Sequence, residues 1–75
     1  MNKVRRKEIT ECLNTLSTLK DELQVLLDEE QDYFDNIPEN LQTSERYEDS
    51  ENAINEMESA ISDIETAIDS LYCIV

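Results

Sequence analysis

The chain contains no glycine, no histidine and no tryptophan, and it has one proline among its 75 residues. Glycine allows turns with positive φ and proline interrupts helices, so their scarcity favours long, unbroken helices. Metal sites in helical bundles combine histidine with glutamate, and a catalytic cysteine needs a basic partner. A calcium-binding loop needs a glycine turn. We therefore expect an all-α protein that is not an enzyme and has no catalytic, cofactor-binding or metal-binding residues.

Positive charge is also scarce, since six lysine and arginine residues face 19 aspartate and glutamate residues and leave a net charge of −13. Such a chain repels phosphate backbones, anionic lipid and other copies of itself, so direct binding of nucleic acid or membrane is not expected. No apolar segment approaches the ~20 residues of a membrane span, and no signal-peptide pattern follows the first methionine. We expect a cytoplasmic protein.

Two cysteines lie far apart in the sequence, Cys12 and Cys73. In a helical hairpin both would lie toward the same end, but residues that pair around the central turn would miss each other by several positions. A disulfide is therefore not expected, and reduced thiols are the default in a reducing compartment. We expect Cys12 to be a small core residue and Cys73 to lie in a frayed terminal turn.

The second half of the chain repeats every seven residues. Three Ala-Ile pairs recur at this spacing, and a third apolar row lies between them. The pairs are Ala53-Ile54, Ala60-Ile61 and Ala67-Ile68, and the third row is Met57, Ile64 and Leu71. With the isoleucines at heptad position a, the third row is at d and the alanines are at g. This pattern predicts a helix over about 44–73 that packs along its length on other helices.

The first half shows the same period over about 3–34, with no residue that would break a helix. Position a holds Ile9, Leu16, Leu23 and Glu30, position d holds Cys12, Leu19, Leu26 and Tyr33, and position e holds Leu13, Leu27 and Phe34. The connection over 35–43 is short, so the two helices must run antiparallel. The sequence thus predicts a single domain over 1–75, a coiled-coil-like helical hairpin.

The turn carries helix-capping signals. Asn36 and Glu39, with Pro38 between them, form the pattern of a capping box on a short helical turn. Thr43 or Ser44 is then expected to cap the second helix. Ile37 and Leu41 should close that end of the core, together with the aromatic residues around the turn.

Each helix has an apolar surface three heptad positions wide, whereas two helices alone cover a narrower contact. A homodimer that forms an antiparallel four-helix bundle would bury the remainder, with close approach at the alanines. The alternative is a monomer whose uncovered surface binds a helix of a host protein. The residues expected in the packed or oligomeric contact are Leu16, Leu19, Leu23, Leu26, Leu27, Ile54, Met57, Ile61, Ile64, Ile68 and Leu71.

The acidic residues of the second helix form two rows without basic neighbours, and they are the candidate partner-binding residues. One row is Glu51, Glu58 and Glu65, and the other is Asp49, Glu56 and Asp63. One interpretation is a solvated surface that keeps a small protein soluble. The other is a surface that binds a basic groove, as a decoy for DNA or as a plug in a nucleic-acid-handling protein.

The turn and the heptads together carry a resemblance. The segments 33–42 (YFDNIPENLQ) and 44–48 (SERYE), followed by the Ala-Ile heptads, resemble a family of short, acidic helical-hairpin proteins of phages and prophages of Gram-positive bacteria. The resemblance covers about 26–71, and Thr43 stands where many relatives have glycine. It implies a host protein as partner, most often a component of antiviral defence, in the cytoplasm of the bacterial host. The alternative is a structural or regulatory coiled-coil subunit of a phage assembly.

Overall fold

The computed structural model describes all residues 1–75 and contains two long α-helices. Helix α1 spans Lys3–Asp35 and helix α2 spans Glu45–Tyr72, with a short 3-10 helix at Glu39–Leu41 between them. The helices pack antiparallel in a rod of 60 × 15 × 13 Å, and no strand is present. The predicted all-α helical hairpin is confirmed. Neither helix has a segment that is long and apolar enough to cross a membrane.

Asparagine side chains define both ends of α1. Asn2 Oδ1 accepts a hydrogen bond from the Arg5 backbone N–H at 2.8 Å, which caps the first turn. At the other end, Asn36 Nδ2 donates to the Asp32 carbonyl at 2.7 Å. The predicted capping box is wrong, because the Asn36 side chain bonds back to the Asp32 carbonyl, which also accepts the Asn36 backbone N–H, and no side chain caps the 3-10 helix that follows. Pro38 precedes the 3-10 helix and does not lie within it.

Ser44 is the residue that caps α2. Its hydroxyl accepts from the Tyr47 backbone N–H at 3.3 Å and donates to the Leu41 carbonyl at 2.6 Å. Glu45 and Glu48 follow in the first turn, where the helix dipole favours negative charge. The connection therefore ends in a fixed geometry that directs α2 back along α1.

Leu27, Ile54 and Ile61 form a cluster of buried side chains between the turn and the middle of the rod, and Leu23, Phe34 and Met57 pack against it. Leu13, the most buried apolar residue at 3% exposed, lies farther from the turn. Ile37 is buried at the turn and closes this end as expected. The same expectation for Leu41 is wrong, since its side chain is 43% exposed. The aromatic rings of Phe34 and Tyr47 stack instead, with 4.6 Å between centroids.

Helix α1 packs through heptad positions a and e, and position d lies outside the contact. Leu13 and Leu27 at position e are buried, whereas Leu19 and Leu26 at position d are 46% and 52% exposed. Cys12, also at position d, is exposed, so its predicted place in the core is wrong. The physical reason is that the facing helix α2 covers only about two rows of α1. The remaining apolar row of α2 consists of alanines, whose side chains are too short to cover position d of α1. Cys73 is exposed as well, and both thiols are free.

Candidate interaction surfaces

The antiparallel pair has two edges, and two observations tell them apart. The one ion pair in the structure joins Lys20 Nζ to Glu65 Oε1 at 3.9 Å and marks the first edge. Leu19 precedes Lys20 and projects about 100° away from it around the helix, toward the second edge. Tyr33, in the same row as Leu19, lines a hollow together with Ala53 of α2. The second edge therefore combines position d of α1 with the alanines of α2.

We call this second edge the apolar face. It consists of two parallel rows with a spacing of seven residues, large side chains on α1 and small ones on α2. Its residues are Cys12, Leu19, Leu26 and Tyr33 on α1 and Ala53, Ala60 and Ala67 on α2. The α1 side chains are all exposed. On α2, Ala67 is exposed and Ala53 and Ala60 are half-buried, so this row adds small apolar side chains beside the large ones of α1.

Carboxylates border the apolar face on both sides, and we call them the acidic rim. On α1 they are one heptad position beyond the large apolar side chains, and on α2 they are one position beyond the alanines. They are Glu8, Glu22 and Glu29 on α1 and Asp49, Glu56 and Asp63 on α2, all of them exposed. None of them is within ion-pair distance of a lysine or arginine, since Glu65 makes the one such contact. The apolar face thus lies between two rows of unpaired negative charge.

The second acidic row of α2 lies on the other edge of the hairpin, and we call it the acidic flank. It consists of Glu51, Glu58 and Glu65, and Glu65 is the residue that contacts Lys20. The flank and the rim residues of α2 are about 160° apart around the helix axis at 100° per residue. The six acidic residues predicted as one partner-binding site therefore form two surfaces that face different directions.

The residues predicted for the packed or oligomeric contact divide in a similar way. Within the hairpin contact, Leu27, Ile54 and Ile61 are buried. The half-buried members are Leu16, Leu23, Met57, Ile64, Ile68 and Leu71. Leu19 and Leu26 point outward and belong to the apolar face. Packing within one hairpin thus buries or half-buries nine of the eleven predicted residues.

A hollow at the turn end of the apolar face contains the polar contact between the helices. Ser50 Oγ donates to the Glu30 carboxylate at 2.8 Å, and Ser50 is only 3% exposed. The other residues around the hollow are Tyr33, Glu45, Arg46, Asp49 and Ala53. The sequence indicated Glu30 as the one charge in its row, but Ser50 was missed. The sequence pattern could have indicated Ser50, because it is the one polar residue in the row of Met57 and Ile64.

The chemistry of these surfaces is that of non-covalent binding, with apolar carbon and carboxylates side by side. No three acidic or cysteine side chains are grouped so that they could hold a metal ion. Comparison of the chain with protein-family models found no match. Comparisons with the curated proteins and with the solved structures found no match. The class that the fold and these surfaces define is an acidic helical hairpin.

Proposed function

We propose that the chain binds and thereby inhibits or modulates a host protein in the cytoplasm of the bacterial host, and that this host protein is a component of antiviral defence. The observation that carries the proposal is the single ion pair, at 3.9 Å, in a chain with 19 carboxylate side chains. Negative charge that the fold leaves unpaired is available to a basic surface on another protein. The resemblance of the turn to phage hairpin proteins supports the biological setting.

Charge alone gives only partial mimicry of DNA. A net charge of −13 along a rod of 60 Å is roughly a third of the charge density of duplex DNA, which carries one charge per ~1.7 Å of axis. A groove built for a duplex would therefore gain less from this chain than from its natural ligand by electrostatics alone. We infer that charge attracts the chain to a basic groove and that apolar contacts supply additional affinity.

The test is capture of a host protein by the purified chain and by a variant with Glu51, Glu58 and Glu65 replaced by lysine. If the acidic residues bind the partner, the variant should capture far less of it while its helical circular dichroism is unchanged. Binding by the original chain should weaken steeply as salt rises from roughly 50 to 500 mM, because exposed charges are screened. Recovery of a defence nuclease or effector supports inhibition. Unchanged capture by the lysine variant would argue against binding through the acidic flank.

A structural role in a phage assembly is the second candidate, and the exposed Leu19 and Leu26 favour it. Two copies that meet through these side chains would form an antiparallel four-helix bundle and remove them from water. In that case the same capture experiment recovers phage structural proteins and no defence component. Light scattering at micromolar concentration then reports a dimer.

A further inference from the structure

The apolar face is the most extensive feature that the hairpin itself does not use. Cys12, Leu19 and Leu26 are exposed along one edge, and the alanine row of α2 lies beside them. Single exposed leucines are common on protein surfaces, but a contiguous apolar patch usually marks a binding site. Here the exposed side chains recur every seven residues, about 10 Å apart along the helix, so they form one row on one edge of the rod and are not scattered positions.

The shape of the face fits an α-helix. Two parallel rows with a spacing of seven residues match the apolar row of a third helix with the same repeat, and the small alanines allow its backbone to approach closely. A β-strand, whose side chains alternate with a period of two, would not keep this register. The distance from Cys12 to Tyr33 along α1 is ~32 Å at 1.5 Å per residue. The face therefore accommodates about 21 residues of a bound helix.

The charge of the acidic rim distinguishes between the candidate helices. A second copy of this chain would bring its own rim against the first. Arg5 and Arg46 lie only at the ends of the two rows of the face, and between them both borders are negative, so two copies place carboxylates opposite carboxylates along the middle of the face. Like charges in such positions oppose association. A helix with lysine or arginine beside its apolar residues would instead place positive charge along both borders. The rim thus favours a basic partner over a second copy.

We propose that the apolar face binds one amphipathic α-helix of a partner protein, with lysine or arginine on both sides of its apolar residues, and forms a three-helix bundle with it. This rests on the proposed function, because it names the segment of the partner that the chain recognises. It also places the contact with that helix at the rim residues, such as Glu22 and Glu56, while the acidic flank faces other parts of the basic groove of the partner.

The hollow at the turn end gives the bound helix a preferred anchor. Glu30, Glu45 and Asp49 surround it with three carboxylates against the single guanidinium of Arg46. Tyr33 is also among the residues that surround the hollow, and a tyrosine ring attracts cations. A lysine or arginine side chain near one end of the bound helix fits both features. This end of the apolar face is therefore where a basic side chain should contribute most.

The first experiment uses the full chain and three synthetic peptides of about 21 residues, the length that spans the face. The first peptide has a leucine heptad bordered by lysine, the second has glutamate in place of lysine, and the third has the composition of the first in scrambled order. Fluorescence anisotropy measures each dissociation constant. The proposal predicts that the second and third bind at least about tenfold more weakly than the first, a difference of ~1.4 kcal/mol. Equal binding of the scrambled peptide would overturn it.

The second experiment compares two variants of the chain that have the same net charge. One carries Glu22→Lys and Glu56→Lys on the rim, and the other carries Glu51→Lys and Glu58→Lys on the flank. We expect the rim variant to lose about tenfold in affinity for the lysine peptide and the flank variant less than about threefold, because exposed charges act mainly over a Debye length. Equal losses would overturn the proposed contact and leave the acidic attraction of the proposed function intact.

A third measurement tests the face itself. The variant with Leu19→Ser and Leu26→Ser should retain its helical circular dichroism, since both side chains are outside the core, and it should lose binding of the lysine peptide. Sedimentation of the original chain without peptide should give a monomer. A dimer that these two serine substitutions dissociate would overturn the proposal, because a second copy would then be the occupant of the apolar face.

Discussion

Leu26 and Leu27 are neighbours in the sequence and differ sharply in their surroundings. Leu27 is 7% exposed and packs in the buried cluster with Ile54 and Ile61, whereas Leu26 is 52% exposed on the apolar face. The two residues have the same chemistry and the same helix propensity. Their difference shows that the hairpin buries only some of the leucine side chains of α1, and that the exposed ones are available for another contact.

The same contrast extends along both rows. Leu13 and Leu27, at position e, face α2, while Leu19 and Leu26, at position d, face water beside the alanines. A heptad pattern records which residues are apolar, but the facing helix decides which of them are buried. On α2 the isoleucines provide that contact and the alanines do not. The apolar face is therefore a property of both helices together.

The largest expected effect comes from truncating these two leucines. Leu27→Ala should lower the free energy of unfolding by about 2–4 kcal/mol, because it opens a cavity in the buried cluster, whereas Leu26→Ala should lower it by less than about 1 kcal/mol. Urea unfolding followed by circular dichroism measures both. If the alanine variant of Leu27 does not fold, Leu27→Val provides a milder substitution at the same site.

The pair also tests the occupant of the apolar face. The small effect at Leu26 should be independent of protein concentration. A loss at Leu26 comparable to that at Leu27, and growing as the protein is diluted, would mean that a second copy buries this side chain.

The next effect concerns the polar contact within the buried rows. Ser50→Ala removes the donor to the Glu30 carboxylate, and we expect a loss of about 1–2 kcal/mol because a partly buried charge keeps no partner in the hairpin. Replacing both residues, as Ser50→Ala with Glu30→Met, should recover most of that loss. Strictly additive effects of the two single substitutions in the same urea assay would show that the hydrogen bond contributes nothing of its own.

The sequence predicted the all-α hairpin well, because helix-breaking residues are almost absent and both halves have a period of seven. It did not predict which of three apolar rows on α1 would be uncovered. Rows a and e each contain one charged residue, Glu30 and Lys20, and row d contains none from Cys12 to Tyr33, yet row d is the uncovered one. The choice depends on how far the side chains of the facing helix reach, and Ala53 and Ala60 are short. The prediction that Cys12 is buried was wrong for that reason.

The turn shows the same limit at shorter range. The pattern from Asn36 to Glu39 fits a capping box, but the Asn36 side chain can also donate to the carbonyl of Asp32. The local sequence does not indicate which of these two hydrogen bonds is more stable. The two acidic rows of α2 were readable as heptad positions, yet their separation onto opposite edges required the direction of α1. Once Lys20 is seen beside Glu65, the other row is assigned to the apolar face.

The smallest expected effect is at that ion pair, and it bears on the same comparison because Lys20 occupies the row of Leu13 and Leu27. Its ammonium lies 3.9 Å from the Glu65 carboxylate, at the limit of an ion pair and in contact with solvent. A double-mutant cycle with Lys20→Ala and Glu65→Ala should therefore give a coupling energy below about 0.5 kcal/mol, falling further as salt rises. A coupling above about 1 kcal/mol in low salt would mean that charge fixes this edge of the hairpin. The acidic flank would then be partly neutralised by α1, and the rim would be the larger source of unpaired negative charge on α2.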